Sequence, residues 1–248
     1  MTLALALGAA LYFDFELAAD ARPLVALWGR IATEPDLRSW TLTHGGMTKP
    51  VAFNPKRLAS RIESGATTHV GVELRTRELL IVAGTALADR LDRQPTSPRW
   101  KYDLSVTLAA NRVDAIGRDV VISALCDFAG SVAADAGVVL WSTSVDFARA
   151  LSSLSSGPDL PPAQVVAYMD AQTNRAHWGA VIRGPEWGTF LSAAHVATLA
   201  GRELPVAARA PLRSGGAFLQ ATREPFDYAA PPPELAVLRE ALAPVSRR

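Results

Sequence analysis

The stretch "MTLALALGAALYFDFELAADA", residues 1–21, decides how the rest of the chain is to be read. As a leader peptide it would contribute nothing to the fold; as a strand it opens a sheet. A leader carries basic residues ahead of its apolar run, and none stands there; Asp14 and Glu16 then interrupt the run before the small residues of "LAADA". Leu3, Leu5, Leu7, Leu11, Phe13, Phe15 and Leu17 instead fall on odd positions, the period-2 pattern of a half-buried strand. The spacing predicts a strand with its odd side chains inward and Asp14 and Glu16 together on the watered face. The protein is then expected in the cytoplasm, because no run reaches the about 18 uninterrupted apolar residues of a membrane span.

Composition narrows the class. The chain has 248 residues, 49% hydrophobic and 20% charged, which is ample material for a core and unlike a disordered chain. A formal charge of +1 argues against a dedicated nucleic-acid binder, which concentrates a basic excess on one face. The single cysteine, Cys126, lies in an apolar run and reads as a small buried hydrophobe, with no disulfide framework possible within the chain.

Outward from the first strand, Asp20 is placed to cap a helix to about Ala32, with Pro23 in its first turn and Leu24, Leu27, Trp28 and Ile31 on its inner face. "SWTLTHGG" reads as a short strand and turn, and "NPKRLASRIESG" as a helix from an Asn54 cap to a Gly65 stop. Two strands joined at Arg75-Thr76-Arg77 follow, then a strand through Tyr102, Leu104, Val106 and Leu108 with one face inward. The second half opens with a helix predicted to end near Gly137, a strand "VVLWSTS", and a helix starting at Ser144 or Asp146. Residues 152–162, "SSLSSGPDLPP", are the one credible internal division of an otherwise single domain spanning 1–248. "ARAPLR" and "GAFLQATRE" pair as a hairpin across Ser214-Gly215-Gly216, and "PELAVLREALAPV" forms a terminal helix. Strands and helices do not alternate regularly enough for a doubly wound parallel sheet. The expectation is α+β, a mixed or antiparallel sheet with packed helices, its two halves following a loosely similar order of elements.

Catalytic and metal motifs are sparse. No G-x-S-x-G is present, and "THGG" at 43–46, which a hydrolase could use as an oxyanion segment, lacks a nucleophile elbow. His44, His69, His177 and His195 form no H-x-x-x-H pair, and no phosphate-cradling glycine loop occurs. The expectation is therefore no metal, no cofactor and no assembled catalytic site. The residues best suited to contact a protein partner are the acidic strip of Asp14 and Glu16 and the aromatic turn around Gly184-Pro185, with Trp178, Glu186 and Trp187. Trp178 and Trp187 equally fit a packing role that locks strand to helix, with Glu186-Trp187-Gly188 leading into a helix from Thr189 toward Ala200.

The order "EWGTFLSAAHVATLAGRE", then "GGAFLQATREPFDY", then a proline-rich gap and "LAVLREALAPV" resembles the C-terminal half of the immunity protein 52 family of bacterial polymorphic toxin systems. The matching pieces are Trp187-Gly188 with Thr189-Phe190-Leu191, Leu199-Ala200-Gly201, and Gly215-Gly216-Ala217-Phe218-Leu219. The earlier residues share only the order of elements. The resemblance implies an α+β protein encoded beside a toxin, commonly a nuclease of the restriction-endonuclease type, which it binds and blocks in the producing cell without catalysis. A decoy for nucleic acid would be acidic, so at +1 inhibition must rest on a local acidic strip or on aromatic contacts. Two other readings stand beside it: a hydrolase using His44 or His69, and an adaptor or structural component of a secretion assembly.

Overall fold

Residues 6–13 do form a strand, β1 (Ala6–Phe13), and it lies in the middle of the sheet. The structure is a computed structural model and describes residues 4–15, 17, 19–34, 36–43, 46–64, 67–73, 79–84, 102–148, 182 and 184–246. The other strands are β2 (Arg38–Thr43), β3 (Gly46–Met47), β4 (Val51–Ala52), β5 (Thr67–Glu73), β6 (Leu79–Gly84), β7 (Tyr102–Leu108), β8 (Ala136–Ser142), β9 (Gly188–Leu191), β10 (Ala208–Pro211) and β11 (Ala217–Gln220). They form one open network in the order β10-β11-β9-β8-β1-β7-β6-β5-β2-β3, with β4 also paired to β2. Every pairing between these strands is antiparallel, so the fold is α+β as expected.

Half-burial does not hold for β1 or β7. Every residue of β1 is buried, and in β7 Ser105 and Thr107 are buried along with Leu104, Val106 and Leu108. The reason is position: β1 lies between β7 and β8, where both faces of the sheet are covered. The alternation of β1 then records residue size. Leu7, Leu11 and Phe13 enter the large core beneath the helices, while Ala6, Gly8 and Ala10 occupy the other face. There a Cβ on Gly8 would meet the Ala148 carbonyl oxygen at 2.5 Å.

Helices lie on both faces. The first layer holds α1 (Arg22–Ile31), α2 (Pro55–Glu63), α3 (Ala110–Ile116) and α4 (Arg118–Ser131). Leu24, Leu27, Trp28 and Ile31 are the buried side of α1, as their spacing predicts. Phe13 meets Phe128 of α4 edge-on at 5.5 Å, and Trp28 meets Phe53 at 5.7 Å, which ties α1 to the chain entering α2. The opposite layer holds α5 (Ala193–Thr198) and α6 (Pro233–Ala241). Phe190 and Phe218 belong to the first core, and their strand neighbours Leu191, Ala217 and Leu219 join Leu199, Leu235, Leu238 and Leu242 in the second. Alternation along β9 and β11 places these cores on opposite faces. Among the described residues no helix is long and apolar enough to cross a membrane.

Several boundaries differ from expectation for local reasons. Asn54 caps α2, accepting the Arg57 N–H at 3.0 Å. Asp20 is not the cap of α1: Ala21 holds that position, and Asp20 accepts the backbone N–H and guanidinium of Arg22. That arrangement holds the Asp20 carboxyl down at about 2. Helix α4 stops at Ser131, well short of Gly137. Ala133 turns left-handed at φ 49° and Ala134 N–H returns to the Ala129 carbonyl at 2.9 Å, a Schellman closure with alanine where glycine is usual. Residues 145–148 begin a helical turn with Ser144 accepting the Phe147 N–H, as one of the two predicted starts. The hairpin across Ser214-Gly215-Gly216 and the terminal helix form where the sequence places them. The 152–162 division and the turn at Arg75-Thr76-Arg77 lie outside the described residues, but β5 and β6 on either side of that turn pair as predicted.

The largest local difference concerns Glu186-Trp187-Gly188. It opens strand β9, not a helix, and the helix begins only at Ala193. Gly188–Leu191 has β8 on one side and β11 on the other, so Thr189 and Phe190 supply a central rung instead of a first helical turn. Ser192 then starts α5 through a reciprocal cap, accepting the His195 N–H while the Ser192 N–H donates to His195 Nδ1.

Candidate functional site

A cleft of about 690 Å³ opens where the start of β1, the α3–α4 junction and the segment after β11 converge. Leu5, Val113 and Trp141 give it apolar surface, and Asp114, Arg118, Asp119, Val120, Glu224 and Pro225 complete it with Ala4, Ala110 and Gly117. Gly117 makes the corner. At φ 93° it donates to the Val113 carbonyl to close α3 and accepts from Val121 to open α4. A side chain is strained in that backbone conformation, so glycine is what lets two helices meet at an angle here.

The opposite wall is held just as closely. The Trp187 indole N–H donates to the Glu224 carbonyl at 3.1 Å, and the Ala221 N–H returns to the Trp187 carbonyl at 2.8 Å. Thr222 Oγ1 also donates to the Glu224 carbonyl, and Gln220 Nε2 donates to the carbonyls of Thr222 and Arg223. Tyr228 N–H closes the segment onto the Trp141 carbonyl of β8. Trp187 itself stands edge-on to Trp141 with ring centres 5.4 Å apart.

The rim is acidic. Arg118 bridges to Glu224 at 3.0 Å and lies 3.9 Å from Asp119, and Asp114 lines the same cleft as a third carboxylate. Asp119 also sits in the first turn of α4, where it offsets the positive end of the helix dipole. Val120 is 41% exposed, one of few large hydrophobic side chains so exposed among the described residues. Neither a histidine nor a hydroxyl or thiol nucleophile lines the cleft among the described residues. The arrangement offers apolar contact below and hydrogen-bond acceptors at the rim.

The residues singled out from sequence fall in different places. Asp14 is exposed just beyond the end of β1 that lies away from the cleft. Glu16 and Trp178 lie outside the described residues. Glu186 is 8% exposed, with its N–H directed to Thr189 Oγ1 at 3.2 Å. Trp187 is 2% exposed and packs against Trp141 and Phe218. Asp14 and Trp187 are therefore not brought together, and Trp187 offers a partner no surface of its own; it acts on the cleft through Glu224. His195 is buried in its cap, and its accepting Nδ1 places the ring proton on Nε2. His44, His177 and the side chain of His69 lie outside the described residues. Burial, with the neighbouring Asp127 carboxylate, pushes the Cys126 thiol up to about 12. Among the described residues no three His, Cys, Asp or Glu side chains group as a metal site.

Sequence reasoning missed Asp114, Arg118, Asp119, Val120 and Glu224 as members of one site. The only local signal was Gly117-Arg118-Asp119, a glycine followed by an acid in a first helical turn, and nothing in it points to Glu224.

No protein-family model matches the chain, so the likeness of its tail to the immunity protein 52 family stands on the residues quoted above. No curated protein matches it either. Among solved structures the chain is similar to the Pseudomonas aeruginosa T6SS protein PA0821, with a TM-score of 0.64 and 17% sequence identity, over 98% of this chain and 73% of that one. The two chains share a fold.

Proposed function

We propose that this chain is an immunity-type protein of a bacterial competition system: it binds a cognate toxin in the cytoplasm of the producing cell and silences it, without catalysing a reaction. The observation that carries this reading is the fold held in common with a T6SS protein along nearly the whole chain. The resemblance of the Trp187–Val245 region to an immunity family supports it independently, because it rests on residues and not on shape. The toxin class that the resemblance implies is a nuclease of the restriction-endonuclease type. With a net charge of +1 the chain does not imitate nucleic acid as a whole, so recognition must be local. Such a protein needs a shaped surface for its partner, and the cleft beside Trp141 supports the reading by offering one.

The reading is tested by isothermal titration against the toxin-like product of the neighbouring gene, disarmed by a catalytic substitution. The expected outcome is a saturable 1:1 heat with a Kd of about 1 nM or tighter, equivalent to about −12 kcal/mol. Cells expressing the active toxin should survive when this chain is co-expressed. A folded toxin that gives no heat, or cells that die regardless, would overturn the assignment.

A further inference from the structure

We propose that the cleft between the α3–α4 junction and the Glu224-Pro225 wall is where the toxin docks, and that it receives a toxin segment presenting a lysine or arginine next to an apolar side chain. The inference rests on the immunity reading and specifies its contact. Charge complementarity names the occupant. Asp114, Asp119 and Glu224 stand against Arg118 alone, which leaves the rim with an excess of negative charge on a chain whose overall balance is +1. The side chain of Asp119 is fully exposed and that of Glu224 is 75% exposed, so both reach outward toward an approaching surface instead of closing over a small molecule. A metabolite site, by contrast, buries about 70–90% of its ligand.

The apolar half of the requirement comes from the exposed Val120 and the half-buried Leu5, set over a cleft floor that the buried Val113 and Trp141 make. Arg118 already shows how a guanidinium sits against Glu224, and a partner's cation would share that carboxylate while Asp114 supplies a second acceptor. Position matters as well. Asp119 offsets the α4 dipole, which leaves Asp114 and Glu224, both lining the cleft, as the acceptors for the guest cation. A nuclease exposes lysines and arginines wherever it grips phosphates, and an acid-rimmed cleft on a rigid frame is suited to cover such a face.

The test compares the wild-type chain with the D114K/E224K variant, using the disarmed toxin as probe and stopped-flow association at low and high salt. Both side chains are exposed, and the variant's melting temperature checks its fold; D114N/E224Q serves if the double reversal melts early. Rim charges act mainly on association rate and its salt dependence. The expected result is that the variant associates about tenfold or more slowly than wild type at low salt, with a flattened salt dependence. If the wild type binds and the variant associates within about twofold of it, the cleft is not the dock and the proposal falls while the immunity reading stands. If the wild type itself does not bind, the immunity reading fails and takes this occupant with it.

Discussion

Trp187 and Glu224 are joined by one hydrogen bond, indole N–H to backbone carbonyl at 3.1 Å, across 37 residues of sequence. One partner opens a central strand and the other forms the cleft wall, so packing inside the sheet fixes the shape of the surface. Replacing Trp187 by Phe keeps an aromatic ring against Trp141 but removes the donor. Thr222 Oγ1 still satisfies the Glu224 carbonyl, so the expected loss is about 1–2 kcal/mol. Trp187→Ala should cost about 3–5 kcal/mol by adding a cavity. Urea unfolding of both variants measures this, and a Trp187→Phe variant as stable as the wild type would show that the indole bond contributes nothing.

Two glycines should respond in opposite directions to alanine. On β1, Gly8 has the Ala148 backbone oxygen where its Cβ would go, and backbone yields little, so Gly8→Ala should destabilise by about 1–3 kcal/mol. Gly29, on the outer side of α1, has nothing within 4 Å of its added Cβ. There the helix-interior penalty of glycine is relieved, and Gly29→Ala should stabilise by about 0.5–1 kcal/mol. Thermal melts of the pair check the sign of each.

Ala133 spends its folded life at φ 49°, a conformation that costs an L-residue about 1–2 kcal/mol. Ala133→Gly removes the strain and returns part of it as unfolded-state entropy, leaving a net gain of about 0.5–1 kcal/mol. An unchanged urea midpoint would mean that the α4 closure is already relaxed.

The Cys126 thiol, held up at about 12, should be almost inert to a thiol reagent such as dithionitrobenzoate at pH 8 in the native protein and react freely once unfolded. The same shift has a pH consequence. Above about pH 8.5 the unfolded thiol ionises while the folded one keeps its proton. The unfolded state then binds fewer protons, so stability falls as pH rises from there toward about 12. Cys126→Ala should flatten that alkaline slope, as read from urea unfolding between pH 8 and 10.

What the sequence disclosed follows from how local each signal is. A strand within the period-2 run of residues 3–17, the Asn54 cap and the inner face of α1 are each written within a few positions, and each formed. Burial of β1 on both faces was not legible, because it depends on β7 and β8 arriving at either side. "EWGTFL" suits a helix start by its flanking turn, yet β8 and β11 draw it into the sheet, where pairing outweighs propensity. The cleft was least legible of all. Its lining comes from residues 4–5, 110–120, 141 and 224–225, and no spacing along the chain marks such a convergence.

The place of β1 between β7 and β8 also sets an order of assembly. Leu7 finds its rungs at Leu108 and Trp141, so most of the first half must be synthesised before β1 gains either neighbour. Closing such long loops is slow, and an unpaired apolar strand invites association with other chains while it waits. If the protein guards the cell against its own toxin, the cell is exposed until the last strands are made, and protection then arrives all at once.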